Sequence, residues 1–173
     1  MIIQSVFATD ENGGIGIDNK LPWPFNRHDM SHFIKTTENS ILVMGTNTWC
    51  SLPTKLKGRV HVVLSSKSLV ELEHKGEFPD HVIDYNDSLD HIESELLHYT
   101  ELYQIETVSI IGGAKVYNQL NPLVDTIIHT TISGTYKVDT KLDVKALTES
   151  FNIIYLDKAL EKGDIKISKY KRR

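Results

Sequence analysis

Two apolar runs set the terms on which this chain can fold. Ile41-Leu42-Val43-Met44-Gly45 and Val108-Ser109-Ile110-Ile111-Gly112-Gly113 are rich in large aliphatic residues and end in glycine. Each passes directly into a segment with helical character. A continuously apolar strand must be covered on both faces, which is the condition of a central strand in a parallel sheet. A strand–glycine–helix junction leaves bare backbone N–H groups and a helix N-terminus at the carboxyl edge of that sheet. Open α/β sheets bind ligands at this edge. The Gly112-Gly113 junction is not the G-x-G-x-x-G dinucleotide fingerprint.

The rest of the chain fits the same scheme. Ile2 to Ala8, Val60 to Leu64, Val82-Ile83 and Thr126 to Ile132 read as further strands. Ser88 to Tyr99 reads as a helix, with Ser88 as N-cap and Leu89, Ile92, Leu96 and Leu97 on one side. Ser68 to Pro79 is polar and irregular, and Val138-Asp139-Thr140 is a polar loop. Phe151 to Leu156 and Ile165 to Tyr170 alternate as an antiparallel pair. The expected fold is α/β: a single domain, 1–173, with a central, mostly parallel eight-stranded sheet. An antiparallel C-terminal hairpin and about four flanking helices complete it.

At 173 residues the chain can bury a sizeable core in one domain. The net charge of −4 offers no general attraction to nucleic acid. The basic end Lys169-Tyr170-Lys171-Arg172-Arg173 reads as solvated. Cys50 is the only cysteine, so no internal disulfide forms and a reducing compartment is expected. No apolar run approaches a membrane span and the N-terminus shows no signal-peptide pattern, so a cytoplasmic location is expected.

Ile15 to Thr37 is the stretch with the most chemistry. Met30, Phe33 and Ile34 recur at helical spacing, and Asp29 borders that stripe. A carboxylate there would be desolvated and its pKa raised, which suits recognition and protonation of a nitrogen heterocycle. The alternative is an N-cap or first-turn acid favoured by the helix dipole. Leu21-Pro22-Trp23-Pro24 is stiffened by its prolines, and Trp23 is either a wall of a pocket for a planar ligand or a plug in the core. Gly14 and Gly16 allow close backbone approach. Thr46-Asn47-Thr48 could hold an anion at a helix start. Ser65-Ser66-Lys67 suits either a phosphate or an ordinary turn. His28 and His32 are four residues apart but lack a third ligand nearby, so no metal is expected.

Taken in order, these residues resemble dihydrofolate reductase. The set is Ile15-Gly16, Leu21-Pro22-Trp23, Asp29 with Phe33 and Thr37, Met44-Gly45 with Thr48-Trp49, Leu56-x-Gly58-Arg59, Leu64-Ser65-Ser66, and Ile111-Gly112-Gly113 with Val116-Tyr117; Asp139-Thr140 adds a weaker match. The resemblance implies NADPH-dependent reduction of 7,8-dihydrofolate to tetrahydrofolate by a cytoplasmic enzyme of one-carbon metabolism. It further implies a monomer with a small-molecule substrate and no nucleic-acid or membrane partner. By the same resemblance, Asp29 binds the pterin and promotes protonation at N5. Leu21 lies in a loop closing over the nicotinamide, and Tyr117 stands near the reacting centre. Val6, Ala8, Met30, Phe33, Leu52, Leu56, Ile111 and Thr130 line the substrate, and Arg59 pairs with the glutamate tail. Ala8, Ile15, Gly16, Asn47, Thr48, Ser65, Ser66 and Lys67 contact the cofactor, as do Gly112, Gly113, Ala114, Lys115, Val116 and Tyr117. The family's Gly-Gly bond is cis. Thr46 stands where the family has a basic residue, and Lys67 or Lys115 could supply the missing charge. Val138 replaces a glycine before Asp139. A pyrimidine reductase of riboflavin synthesis and a non-catalytic nucleotide-binding relative are the alternatives.

Overall fold

The computed structural model describes residues 1–157 and 164–173. In chain order its elements are β1 (Ile2–Thr9), β2 (Gly14–Gly16), α1 (Arg27–Thr36), β3 (Ser40–Gly45), α2 (Thr46–Ser51), β4 (Val60–Leu64), β5 (His81–Ile83), α3 (Leu89–Tyr103), β6 (Thr107–Gly112), α4 (Ala114–Leu120), β7 (Thr126–Ile132), β8 (Thr140–Lys141), α5 (Val144–Thr148), β9 (Phe151–Asp157) and β10 (Ile165–Arg172). Eight strands form one sheet in the order β5-β4-β3-β6-β1-β7-β10-β9. The first six of these are parallel; β10 runs antiparallel to β7 and to β9. The mostly parallel eight-stranded sheet and the antiparallel end are therefore as expected.

Burial explains why the apolar runs became central strands. Ile41, Leu42, Val43 and Met44 are all fully buried, which requires cover on both faces. One face packs against Ile92 and Leu96 of α3 and Leu120 of α4. The other carries a second cluster in which Trp49 and Leu72 join Leu42, Met44 and Val63. The chain steps outward through β3, β4 and β5 and then returns, so β6 lies between β3 and β1.

The described residues contain five α-helices, in keeping with the expected count of about four, the short α5 being capped by Asp143. Several local expectations are corrected. Ser68 to Pro79 is not simply irregular. It holds a 3-10 turn at Val70–Leu72 that buries Leu72, and a two-hydrogen-bond bridge between His74 and Glu77. Thr140 leaves the expected loop to pair with β2. Helix α3 runs on to Tyr103 and buries Tyr99 and Thr100, while Leu97 is exposed. The basic end is docked rather than solvated: Arg172 donates to Val124 O at 2.7 Å and lies over the Phe151 ring at 4.5 Å.

Candidate active site

Parallel register collects the carboxyl ends of five strands. Ala8 of β1 is level with Thr130 of β7, Met44 of β3 with Gly112 of β6, and Gly45 with Leu64 of β4. The junction residues therefore meet at one edge without any side chain having to reach for it. Gly112-Gly113 is a cis peptide, and Gly112 has φ +138. A Cβ on Gly112 would sit 3.0 Å from Thr48 Oγ1, so both the backbone conformation and the space require glycine. Gly45 approaches the same junction, where a Cβ would meet Val116 Cγ2 at 3.2 Å. Tyr117 is buried and donates its hydroxyl to Val6 O at 2.9 Å, tying α4 to β1. Burial pushes its phenol pKa above the ordinary range. That hydroxyl braces the junction.

Helix α1 packs on β1. Its N-cap is Asn26, whose Oδ1 accepts from the backbone N–H groups of His28 and Asp29. Asp29 is therefore a first-turn acid and not the cap. Its carboxyl is half-buried, receives no hydrogen bond from any described residue, and is pushed up by burial to about 6. The two sequence readings of Asp29 thus hold together: it occupies the first turn and is also desolvated. The Met30–Ile34 stripe does not enter the core. No residue of α1 is fully buried, and Met30 and Ile34 are 37% and 50% exposed. Phe33 is half-buried. Trp23 is a plug: it is buried against Ile132, Ile165 and Tyr136. Its Nε1 has no hydrogen-bond partner among the described residues. Ala8 packs beside that cluster.

The opposite end of α1 meets Arg59. Its Nε donates to Thr37 O at 3.0 Å, Nη2 to Ile34 O at 2.7 Å and Nη1 to Lys57 O at 2.8 Å. A cation on the last carbonyls of a helix is favourable. A guanidinium has five N–H donors, and this pattern leaves one on each terminal nitrogen. Leu52, Leu56 and Ile111 share the Trp49 cluster, so Ile111, distant in sequence, joins the other two in one apolar group.

On the other side of the junction, Ser65 Oγ accepts from Thr46 Oγ1 at 2.9 Å and from the Lys67 N–H at 3.1 Å. Ser66, Lys67, Asn47 and Lys115 are exposed, while Thr48 and Ala114 are half-buried. Ile15 and Gly16 are half-buried, and Ile15 packs on the main core. The loop beyond them turns through Asp18 and Asn19, both at positive φ, and Ile17 and Lys20 exchange two hydrogen bonds of 2.9 Å. Asp139 holds it, accepting from Asp18 N at 2.9 Å while its own N–H donates to Gly16 O. Leu21 follows at 55% exposure. Val138 packs close on Gly14. His28 is exposed and His32 half-buried. No group of three His, Cys, Asp or Glu among the described residues is placed to hold a metal ion.

Sequence reasoning missed Asp10 and the side chains around the Leu52–Arg59 loop. A histidine inside the apolar run Val60-His61-Val62-Val63-Leu64 was the available signal, because a polar group at a strand-core position needs a partner. No described helix is long and apolar enough to cross a membrane.

Comparison with known proteins bears on this arrangement. The family model for dihydrofolate reductase matches residues 2–170. The dihydrofolate reductase of Mycoplasma pneumoniae is 30% identical over 169 residues, covering 98% of this chain and 97% of the relative. Dihydrofolate reductase type 9 of Escherichia coli is 33% identical over 152 residues, covering 88% and 81%. A solved dihydrofolate reductase from Enterococcus faecalis, complexed with NADP(H) and RAB-propyl, has a TM-score of 0.77 at 26% identity and covers 99% of this chain and 96% of that chain.

Proposed function

The chain belongs to the dihydrofolate reductase family, and from that premise we propose that it reduces 7,8-dihydrofolate to tetrahydrofolate with NADPH in the cytoplasm. The observation that carries the reading is Asp29: an acid on the helix packed against β1, without a hydrogen-bond partner among the described residues, with its pKa raised to about 6. An acid so placed can hold a proton near neutrality and can donate to or accept from the edge of a pterin.

The donor set beside the cis junction fits a dinucleotide. It offers the bare N-terminus of α4, the Thr48 and Ser65 hydroxyls, and the exposed ammonium groups of Lys67 and Lys115. Gly113 to Tyr117 would hold the pyrophosphate, Asn47 and Thr48 the adjoining phosphate, and Ser65, Ser66 and Lys67 the adenosine 2′-phosphate. Ala8, Ile15, Gly16 and Ile111 would flank the nicotinamide and its ribose. NADPH supplies a hydride to C6 when bound.

Asp29 and Thr130 orient the pterin ring, and Asp29 promotes protonation at N5. Val6, Ala8, Met30 and Phe33 cover the faces of the ring. The exposure of Met30 suits a ligand-facing wall better than a core position. Leu52 and Leu56 pack on the aryl group. Arg59 presents its two remaining terminal N–H groups to the tail carboxylate. Leu21, on the loop latched by Asp139, excludes water from the reacting pair. Tyr117 fixes the junction through Val6 O.

The test is loss of reduced-nicotinamide absorbance when the protein meets NADPH with dihydrofolate, set against NADPH with the ribosylated aminopyrimidine substrate of riboflavin synthesis. Turnover of the first alone is expected. Turnover of the second alone would assign the chain to the other reductase, and turnover of neither would leave a nucleotide-binding role.

A further inference from the structure

We propose that His61, Glu77 and Asp80 form a brace that positions the Leu52–Arg59 loop for the aryl-glutamate half of the substrate and leaves the pterin half alone. The inference rests on the reading of Leu52, Leu56 and Arg59 as substrate residues.

The loop has no regular secondary structure of its own, so its backbone polar groups must be met from outside. They are met by side chains from one short stretch of chain and from β4. Leu56 N–H donates to His61 Nε2 at 3.0 Å. Lys55 N–H donates to Glu77 Oε2 at 2.8 Å, and the Thr54 hydroxyl reaches the same carboxylate. Lys55 Nζ donates to Asp80 Oδ1 at 2.7 Å. The His74 ring nitrogen Nε2 lies 3.2 Å from Leu52 O. Four consecutive hydrogen-bonding positions, Leu52 and then Thr54 to Leu56, are thereby held from the His74–Asp80 segment and β4.

The chemistry at His61 is specific. The ring is fully buried and lies edge-on to Trp49. To accept from Leu56, Nε2 must carry no proton, so the ring is neutral and its proton sits on Nδ1. Nδ1 faces Asp80 Oδ2 at 3.6 Å, and the same oxygen accepts the His61 backbone N–H at 2.8 Å. Burial works against charge on Asp80, but His61 and Lys55 hold its carboxyl well below the usual range. It therefore stays an anion beside the ring's Nδ1 edge, where at 3.6 Å it acts by charge and not through a hydrogen bond, so the Leu56 N–H alone selects the tautomer. An apolar residue would fill the space at position 61 equally well. What it would lack is the acceptor that sets Leu56, and Leu56 and Leu52 pack on the same cluster as Ile111.

The brace is a set of positioning residues, so its test separates the two halves of the substrate. Kinetics are measured for the wild type, His61→Leu, His61→Gln and Glu77→Ala with NADPH. One substrate is dihydrofolate; the other is a dihydropterin lacking the aminobenzoyl-glutamate tail. His61→Leu is expected to raise KM for dihydrofolate about tenfold, the scale of one buried donor left unpaired. Its KM for NADPH and its kcat/KM for the tail-less dihydropterin should stay within about twofold. His61→Gln, whose amide oxygen can accept from Leu56, should recover most of the loss. Glu77→Ala, at a half-exposed site that leaves the core intact, should raise KM for dihydrofolate about threefold by the same logic.

Equal losses on both substrates, or an unchanged KM for dihydrofolate in His61→Leu and Glu77→Ala, would overturn the brace while leaving the reductase reading in place. A wild type that reduces neither substrate would overturn that reading and the brace with it.

Discussion

Two aspartates near β1 make an instructive pair. Asp10, in the turn after β1, is 2% exposed, whereas Asp29, at the start of the helix lying on β1, is only half-buried. Their carboxyl pKa values are nevertheless shifted in opposite directions. Burial pushes Asp10 up, but the N–H groups of Gly14, Tyr136 and Asn12 converge on its carboxylate at 2.8–3.0 Å and, with Lys141 nearby, hold its pKa below the ordinary value. Asp29 has no such donors and rises to about 6. Donors at the carboxylate, and not depth, separate a structural acid from one free to exchange a proton. Asp10 closes the β1–β2 turn and anchors the chain before Tyr136. Asp29 keeps its hydrogen-bonding capacity unspent among the described residues.

The sharpest break between the two is catalytic. Asp29→Asn should lower dihydrofolate turnover by about a hundredfold or more, the usual scale for a proton-transfer group. Asp10→Asn should leave the kcat of the folded enzyme near wild type. Steady-state assays of both variants decide this. Near-normal turnover in Asp29→Asn would remove the distinction. Next in size, Arg59→Ala should raise KM for dihydrofolate by roughly tenfold or more and KM for NADPH little, because its charge-assisted pair is with the substrate tail. Equal rises would mean that its bonds to Ile34 O and Thr37 O are its whole role.

Stability should move in opposite directions at the two sites. Between the ordinary value of 3.8 and about 6, the unfolded chain ionises Asp29 while the folded chain keeps the proton, so stability falls as pH rises through that window. Asp29→Asn should then stabilise the protein at neutral pH by roughly 1–2 kcal/mol, less than the full shift because the carboxyl is partly solvated. That gain should vanish below about pH 3, where both states hold the proton. The depressed pKa of Asp10 acts in the opposite sense: its stabilisation is present above 3.8 and is lost as pH falls through its folded pKa. Asp10→Asn should cost about 1–3 kcal/mol at neutral pH through a mispaired backbone N–H. Denaturant titrations at the two pH values measure both effects. The smallest expected effect is at Lys67. If it supplies the charge missing at Thr46, Lys67→Ala should erode NADPH-over-NADH discrimination severalfold, the scale of one exposed ion pair; an unchanged ratio would exclude it.

The parallel core was readable in the sequence because strands buried on both faces leave continuous apolar runs, as Ile41 to Met44 do. The Gly112-Gly113 junction and Asp29 were readable because their chemistry is local. The β2–β8 pairing was not, since two or three residues such as Gly14 and Gly16, joined to Lys141 and Thr140 far along the chain, carry no periodicity. Leu72 was hidden in a polar stretch because one buried residue makes no pattern. The brace around Leu52–Arg59 was hidden because the partner of His61 is a backbone N–H, and no residue type signals that. What covers the Met30–Ile34 stripe was not legible, because apolar spacing marks a face without saying what packs on it.

The central claim is that Asp29 keeps its proton close to neutrality because it lies partly buried, with no donor to its carboxylate among the described residues. A carbon-13 NMR titration of the side-chain carboxyls in the free protein, with Asp29→Asn to assign the resonance, tests this directly. A midpoint near 6 is expected. A midpoint at or below 3.8 would show a solvated or donor-stabilised carboxylate and would contradict the account.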